Sequence, residues 1–351
     1  MKQQVARGLA GAVAIALALT ACGGGSDDAA SGSGGGGGGG ESSNPSVANV
    51  INGPLGDQGF FDDAARGMAE LEKAGSKIQN IQSDANNPAQ WKSNLESVSN
   101  GDWDVVITGT SQMVDILTET APKYPDQSYI LYDSVVEAEN VASIVYKQNE
   151  GSYLAGVLAA QATTNTQAFP LSAGSKKVGL VGGMDIPIIN DFVEGYKKGV
   201  ETVDPTIQVL VSYVGDFTDS NKGFDQATAM YEQGADVVFQ VAGGAGIGVL
   251  KAAEDSNKYA IGVDSNQNAL HSGHILASML KNIGVSLQSA VDQYAAGDLA
   301  FGETTEYGLS NDGVSLTFED NGDIVPQDIQ DQIKDYAQKV IDGEIEVPTA
   351  L

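Results

Sequence analysis

The stretch Asp104-Val-Val-Ile-Thr-Gly109 recurs 132 residues further along the chain, as Asp236-Val-Val-Phe239 leading to Gly243. A short run of β-branched residues that ends in glycine is typical of a buried strand in a parallel sheet. The run Tyr129–Asp133 returns in the same way as Tyr259–Asp264, with the two aspartates 131 residues apart. Elements that share one offset predict that the chain contains two similar halves.

Within each half, strand-like runs alternate with stretches of helical period. In the first half we predict strands at Val47–Asn52, Ile78–Ser83, Asp104–Gly109 and Tyr129–Asp133, with helices at Asp62–Ala74, Pro88–Ser99 and Ser111–Ala121. The second half starts at Val178–Gly183 as the first starts at Val47–Gly53. This alternation is the pattern of α/β folds, so we predict two similar doubly wound parallel-sheet lobes.

Two lobes require segments of chain that cross between them. We expect hinge segments at Val141–Lys147 and Ile275–Lys281, a third crossing after Phe301 through Val314–Phe318, and a last helix at Gln327–Asp342. The N-terminal lobe would then contain residues 47–145 and about 265–300. The C-terminal lobe would contain residues 146–264 and about 301–345.

The N-terminus has the three zones of an export signal, which we place at residues 1–21. Lys2 and Arg7 are basic, residues 9–19 are apolar apart from Gly11, and a small-residue junction precedes Cys22. The apolar run is shorter than the roughly 20 residues that a transmembrane helix needs. Leu19-Thr-Ala-Cys22 resembles the bacterial lipobox, so we expect the exported protein to be attached to the extracytoplasmic face of a cell membrane through acylated Cys22.

The alternative for this region is an ordinary cleaved signal with an incidental cysteine. Residues 23–46 are rich in glycine and serine and contain almost nothing that can be buried, so residues 22–46 predict a flexible tether. Cys22 is the only cysteine, and no disulfide helps the exported chain to fold.

The charge balance limits the partners of the chain. With 46 acidic and 18 basic side chains, the formal charge is -28. This excess argues against a nucleic-acid partner, because phosphate backbones attract basic surfaces. Solubility and adaptation to the surrounding medium account for the acidity. We expect a monomer without a cofactor or a bound metal.

Candidate binding residues stand where predicted strands end. In doubly wound sheets small molecules bind beyond the carboxyl ends of the strands. Carboxylates there can accept hydrogen bonds, glycines let a ligand approach the backbone, and aromatic rings can stack on a planar group. For each aspartate taken alone, the alternative is a helix cap or a turn. The candidates are Asp57, Phe60, Phe61, Asp133, Phe217, Gly243, Gly244, Asp264 and Lys281.

One of these segments resembles a family motif. Asp57-Gln-Gly-Phe60-Phe-Asp-Asp-Ala64-Ala-Arg-Gly67 is similar to the Asp-x-Ser-Phe-Asn-x-x-Ala-x-x-Gly segment of the basic membrane protein family. These proteins are lipoprotein receptors of ABC importers and include the purine nucleoside receptors. Further similar segments follow in the same order at Glu150–Gly156, Val178–Gly183, Gly234–Phe239, Ile261–Gln267 and Ala277–Lys281, so that the resemblance runs from about Val47 to about Gly297.

The resemblance implies a fold of the type I periplasmic binding protein kind and a ligand held between the lobes. Nucleoside-binding members hold the base between two aromatic rings, which match Phe60 and Phe217. Asp133 would face the base or the hinge, and Asp264 and Lys281 would bind the sugar hydroxyls. A membrane permease would recognise the closed form. A plain hydrophobic gate remains the alternative for the two phenylalanines.

This sequence departs from the family pattern at two positions. Phe61 stands where the family usually has asparagine, and Gly59 replaces a common serine. Phe61 removes an amide that could contact the ligand, and it would either widen the apolar wall of the site or pack beneath it. The ligand could therefore be a purine nucleoside or another small polar solute.

Two other classes of function remain as alternatives. A lipoprotein that senses a ligand for a membrane signalling partner would need the same fold. An enzyme is less favoured, because no Gly-x-Ser-x-Gly nucleophile motif is present. His271 and His274 could bind a metal at their spacing, but a solvated loop is the simpler interpretation. Gly243–Gly248 lacks the lysine of a phosphate-binding loop, so it indicates backbone approach to a ligand.

Overall fold

Two six-stranded sheets, one in each lobe, organise the chain in the computed structural model, which describes residues 44–351. The predicted signal, the predicted acylation site Cys22 and the predicted tether up to residue 43 lie outside the described residues. In residues 44–351, no helix is long and apolar enough to cross a membrane.

The first sheet forms the N-terminal lobe, and all its strands are parallel. The strand order is β11-β5-β4-β3-β1-β2, with β1 (Val47–Ile51), β2 (Ile78–Gln82), β3 (Val105–Gly109), β4 (Ser128–Tyr132), β5 (Val141–Tyr146) and β11 (Thr304–Tyr307). Its helices are α1 (Phe60–Lys73), α2 (Pro88–Val98), α3 (Val114–Thr120) and α8 (Ile283–Ala296). The three central strands β1, β3 and β4 are almost entirely buried, as their continuous apolar runs require.

The second sheet has the same order, β12-β10-β9-β8-β6-β7. Its strands are β6 (Lys177–Gly182), β7 (Gln208–Tyr213), β8 (Val237–Val241), β9 (Tyr259–Asp264), β10 (Ile275–Lys281) and β12 (Val314–Thr317). Only the edge strand β12 is antiparallel to its neighbour. Helices α4 (Gln148–Thr164), α5 (Pro187–Val203), α6 (Ser220–Glu232), α7 (Gly246–Asp255) and α9 (Gln327–Ile341) complete this lobe. The predicted fold class is confirmed.

The described chain crosses between the lobes at three places. After β5 it passes at Lys147 into α4, which packs on α5 and on strands of the second sheet. After β10 it returns at Asn282 into α8, which packs on α1. Residues 308–313 then connect β11 to β12. The segments expected as hinges are therefore the strands β5 and β10, and the first two crossings follow them directly.

One part of the predicted division between lobes is wrong. We expected residues 265–281 in the N-terminal lobe, but β10 pairs in parallel with β9 and extends the second sheet. We expected residues 301–307 in the C-terminal lobe, but β11 pairs with β5 in the first sheet. The reason is that Ile275–Lys281 is another buried apolar run after Asp264. Pairing with β9, the preceding strand, buries this run on both faces of the second sheet.

Two glycines let α8 lie directly on α1 in the N-terminal lobe. A Cβ atom on Gly67 would lie 2.4 Å from the carbonyl oxygen of Gly284. The Oδ2 atom of Asp63 on α1 accepts a hydrogen bond of 3.0 Å from the backbone N–H of Gly284. The second crossing is thus fixed to the helix whose first turn borders the cleft.

Candidate functional site

A cavity of about 460 Å³ lies between the two lobes, where the carboxyl ends of the strands of both sheets meet. The loops after β1, β3 and β4 line it from the N-terminal lobe. The loops after β6, β7 and β8, together with the ends of β9 and β10, line it from the C-terminal lobe. All nine sequence-predicted site residues border this space: Asp57, Phe60, Phe61, Asp133, Phe217, Gly243, Gly244, Asp264 and Lys281.

Asp57 organises the loop that leads into α1. Its two carboxylate oxygens accept hydrogen bonds from the backbone N–H groups of Gly59, Phe61 and Asp62, at 2.9 to 3.1 Å. Burial raises the pKa of this carboxyl, while the hydrogen bonds oppose the shift. The helix-capping alternative thus describes Asp57, because it satisfies N–H groups of the first turn that would otherwise have no partner. The capping fixes the loop that presents Phe60 to the cavity.

Asp133 and Asp264 occupy corresponding places in the two lobes. Each directly follows or ends the fourth strand of its half, and each has a left-handed backbone with a φ of 65°. Aspartate is one of the few residues that adopt this conformation without a large penalty. The repeat seen in the sequence therefore places two carboxylates at equivalent strand ends, facing one cavity.

The carboxylate of Asp133 forms an ion pair with Lys281 of the other lobe. Lys281 is 1% exposed and Asp133 is 7% exposed, so the pair is removed from water. The Nζ atom of Lys281 also lies 5.0 Å from the ring centre of Tyr146 and 5.6 Å from that of Phe60. Burial raises the pKa of Asp133, and Lys281 opposes this shift. The positive charge of Lys281 is thus already compensated within the protein.

Asp264 differs from the other carboxylates of the cavity. It is 7% exposed and borders the cavity, yet it has no hydrogen-bond partner among residues 44–351. Burial raises its pKa to about 8, with a smaller opposing effect of Lys281 and a further rise from Asp57 and Asp133. The carboxyl of Asp264 therefore faces the cavity with hydrogen-bonding capacity that no group of the described chain uses.

Aromatic rings border the cavity from both lobes. The ring of Phe60 lies 5.6 Å from Tyr132 and meets Phe61 edge-on at 5.3 Å. The ring of Phe61 covers Gly53, where a Cβ atom would come within 2.6 Å of it. The two alternatives given for Phe61 are therefore compatible, since its ring packs on the backbone of Gly53 and also borders the cavity.

Phe217 takes the corresponding position in the C-terminal lobe. Its ring lies over Gly183, where a Cβ atom would be 2.3 Å from the ring carbons. Its carbonyl oxygen accepts a hydrogen bond from the N–H of Ala245, which holds the loop beside Gly243 and Gly244. These glycines lie against Phe217, and a Cβ on Gly243 would be 3.4 Å from its carbonyl oxygen.

Several residues of the cavity are not among the sequence-predicted site residues. Asn52 and Thr110 follow the ends of β1 and β3, and Asn52 Oδ1 and Thr110 Oγ1 are buried without a partner in the described chain. The only feature of the sequence that could have identified these two residues is their position at the end of a predicted strand or directly after it. The C-terminal lobe adds an apolar wall formed by Met184, Ile186, Ile188, Ile189 and Phe192. Nothing in their local sequence distinguishes these side chains from core residues.

The two histidines have separate partners. The Nδ1 atom of His271 lies 3.0 Å from a carboxylate oxygen of Glu254, and that of His274 lies 2.9 Å from the carbonyl oxygen of Lys258. Within residues 44–351, no three side chains of His, Cys, Asp or Glu are grouped so that they could hold a metal ion.

Sequence comparison assigns nearly all of the described chain to one family model. Residues 44–350 match the model described as ABC transporter substrate-binding protein PnrA-like. The chain is 31% identical to the CD4+ T-cell-stimulating antigen of Listeria monocytogenes, over 88% of this chain and 89% of the relative. It is 30% identical to the ABC transporter nucleoside-binding protein BmpA of Lactococcus lactis, over 86% of this chain and 87% of the relative.

Solved structures of solute-binding proteins have the same architecture. An ABC transporter solute-binding protein from Aeropyrum pernix superimposes with a TM-score of 0.78 at 26% identity, covering 87% of this chain and 94% of that one. A second, from Conexibacter woesei, gives a TM-score of 0.69 at 22% identity, covering 88% and 99% of the two chains. The second likeness concerns the fold alone.

Proposed function

Because the chain belongs to the PnrA-like family of ABC transporter substrate-binding proteins, we propose that it captures a purine nucleoside between its lobes and delivers it to the permease of an importer. One observation carries the choice of ligand. The cavity combines an unpartnered carboxyl, Asp264, with the aromatic rings of Phe60 and Phe217. A nucleoside offers hydroxyl donors for the first and a planar base for the others. The name of the Lactococcus relative supports the same class of ligand.

Each group has a defined role in this proposal. Asp264 accepts hydrogen bonds from the sugar hydroxyls, and the rings of Phe60 and Phe217 contact the faces of the base. Stacking on an aromatic side chain contributes about 1–3 kcal/mol per base and tolerates different bases. Discrimination between bases then falls to Asn52 Oδ1 and Thr110 Oγ1, which lack partners in the described chain.

A thermal-shift screen against nucleosides, free bases, sugars and amino acids tests the ligand. A ligand that binds only the folded protein raises its melting temperature. We expect at least one purine nucleoside to raise the melting temperature of the wild-type protein. The same nucleoside should leave the melting temperature of Asp264→Ala unchanged and raise that of Phe60→Ala by a smaller amount. If an amino acid or a free sugar raises the melting temperature and no nucleoside does, the proposal of a nucleoside ligand is refuted, but the proposal of a receptor still stands. If the protein converts the nucleoside into its free base, the proposal that it is a receptor is refuted.

Proteins of this family act outside the cytoplasm. For this chain we add that acylated Cys22 anchors it to the membrane as a monomer, and that the leash ends before residue 44. The predicted tether extended to residue 46, but Pro45 is buried and Ser46 donates hydrogen bonds to Asp104. Binding does not need the lipid, whereas delivery gains local concentration at the permease. We therefore expect Cys22→Ala to leave nucleoside affinity unchanged, to move the protein out of the membrane fraction, and to reduce uptake by cells. Unchanged fractionation would refute the anchor.

A further inference from the structure

We propose that Ser265 and Gln267 are positioning residues that set the lifetime of the closed cleft without contacting the ligand. The proposal rests on the proposed function only in that a ligand occupies the cleft. Ser265 Oγ donates a hydrogen bond of 3.1 Å to the carbonyl oxygen of Gly59. Gln267 Nε2 donates one of 3.0 Å to the carbonyl oxygen of Gln58. Both bonds join the C-terminal lobe to the N-terminal lobe, and neither Ser265 nor Gln267 borders the cavity.

Arg66 extends this contact from the side of the N-terminal lobe. Its Nη2 atom donates a hydrogen bond of 2.9 Å to Ser265 Oγ and forms an ion pair of 2.6 Å with Asp63. The other oxygen of Asp63 accepts from the N–H of Gly284, at the start of α8. A chain of hydrogen bonds through Arg66 and Asp63 therefore connects Ser265 to Gly284, which follows the second crossing between the lobes.

The amide of Gln267 is oriented by its own lobe before it meets the other one. Its Oε1 atom accepts hydrogen bonds from Gln240 Nε2 at 2.7 Å and from the N–H of Val263 at 3.0 Å. Two donors at this atom identify it as the oxygen, so the NH2 group points toward Gln58. Gln267 is 1% exposed, and an amide fixed in this way loses little rotamer freedom when the cleft closes.

The loop held by these bonds carries part of the proposed ligand site. Residues 57–59 lead directly into Phe60, and Asp57, Gln58 and Phe60 border the cavity. The loop passes close to Asp264, since a Cβ atom on Gly59 would lie 3.5 Å from its Oδ2 atom. The bonds thus fix the aromatic wall of one lobe relative to the free carboxyl of the other.

The expected effect is a change in dissociation rate that does not depend on the ligand. In an open cleft the same donors and acceptors would bind water, so each bond adds only the modest net stability of an ordinary hydrogen bond. Loss of the Ser265 hydroxyl should therefore speed release about 5-fold. Because Ser265 does not border the cavity, the ratio of affinities for two nucleosides should stay the same.

The first experiment measures dissociation rates and dissociation constants for adenosine, guanosine and inosine. The variants are Ser265→Ala, the conservative Ser265→Thr, and Ser272→Ala as a control at an exposed serine nearby. We expect faster release of every bound nucleoside by one factor in Ser265→Ala, wild-type rates in the control, and recovery in Ser265→Thr. An unchanged rate, or an altered ratio between nucleosides, would overturn the positioning role.

The second experiment needs no ligand and therefore separates this proposal from the choice of ligand. Spin labels are attached at Ser93→Cys on α2 and Asp225→Cys on α6, with Cys22 replaced by serine. Both helices lie on the sides of their sheets away from the crossings, where opening moves the lobes most. We expect longer and broader distances in Ser265→Ala than in the protein with Ser265. Identical distance distributions would overturn the proposal even if nucleosides bind.

Discussion

Lys281 donates a hydrogen bond to Asp133 across the two lobes, although 148 residues separate them in the chain. Lys281 ends β10 of the second sheet, and Asp133 follows β4 of the first. Both side chains are buried, and the ammonium group lies within 5.6 Å of the rings of Phe60, Tyr146 and Phe192. Each charge therefore depends on the other for its compensation.

Removal of one partner should destabilise the protein strongly. Lys281→Met leaves the Asp133 carboxylate buried without its cation, which costs about 3–5 kcal/mol in comparable pairs. Asp133→Asn retains the left-handed backbone and isolates the lysine instead. We expect the double variant to lose clearly less free energy of unfolding than the sum of the two single variants. Urea unfolding measures the three values, and additive losses would contradict the coupling.

The stability of the ligand-free protein should fall as the pH rises from about 5 to 8, above the range in which carboxyls with a lowered pKa, such as Asp204, ionise. Burial raises the pKa of Asp264 from 3.8 to about 8, so the folded state keeps a proton that the unfolded state has already lost. The resulting slope is at most about 1.4 kcal/mol per pH unit. Burial also raises the pKa of Asp57, Asp63 and Asp133, which adds slopes of the same sign.

The variant Asp264→Asn isolates the contribution of this one group. Urea unfolding at several pH values in this range should give a shallower decline for Asp264→Asn than for the wild type. The asparagine side chain is similar in size and does not ionise, so the remaining slope reports the other carboxyls. Parallel curves would show that Asp264 is not the group that keeps the proton.

Gly67→Ala should destabilise the protein, although alanine favours helices. In an open helical position this replacement stabilises by up to about 1 kcal/mol. At Gly67 the new Cβ would meet the backbone of Gly284 at 2.4 to 2.9 Å, and overpacking of this kind costs about 1–3 kcal/mol. Thermal unfolding should therefore show a lower melting temperature for Gly67→Ala than for the wild type, and a higher one would contradict the prediction. Ala69→Gly, on the exposed side of α1, reports the intrinsic propensity of the same helix.

A nucleoside 5′-monophosphate should bind at least about 10-fold more weakly than its parent nucleoside. The ionisable residues that border the cavity are Asp57, Asp133, Asp216, Asp264 and Lys281, and the lysine is paired with Asp133. A phosphate would face acidic side chains, and the one cation of the described chain that borders the cavity is already paired. Competition of the monophosphate against the bound nucleoside measures the ratio, and equal affinities would contradict this account of the charge.

The amino-acid sequence alone determined the repeated α/β architecture of residues 44–351. Strand runs such as Val105–Gly109 and Val237–Val241 are mostly apolar in both halves at one offset, and such nearly continuous runs follow from burial on both faces of a sheet. The same repeat identified Asp133 and Asp264 as equivalent strand ends. Their left-handed backbone is compatible with aspartate, so local and global structure agree at these positions.

Only the tertiary structure decided how these parts meet. Ile275–Lys281 could pair with the edge of either sheet, and it pairs with β9 of the second one. The sequence of this apolar run does not indicate which edge will cover it. Asp57 and Asp264 are both strand-associated aspartates, but one caps α1 whereas the other faces the cavity without a partner. That difference arises because Asp57 finds its donors in its own loop, at Gly59, Phe61 and Asp62, whereas Asp264 lies beside this loop only after the two lobes have folded together.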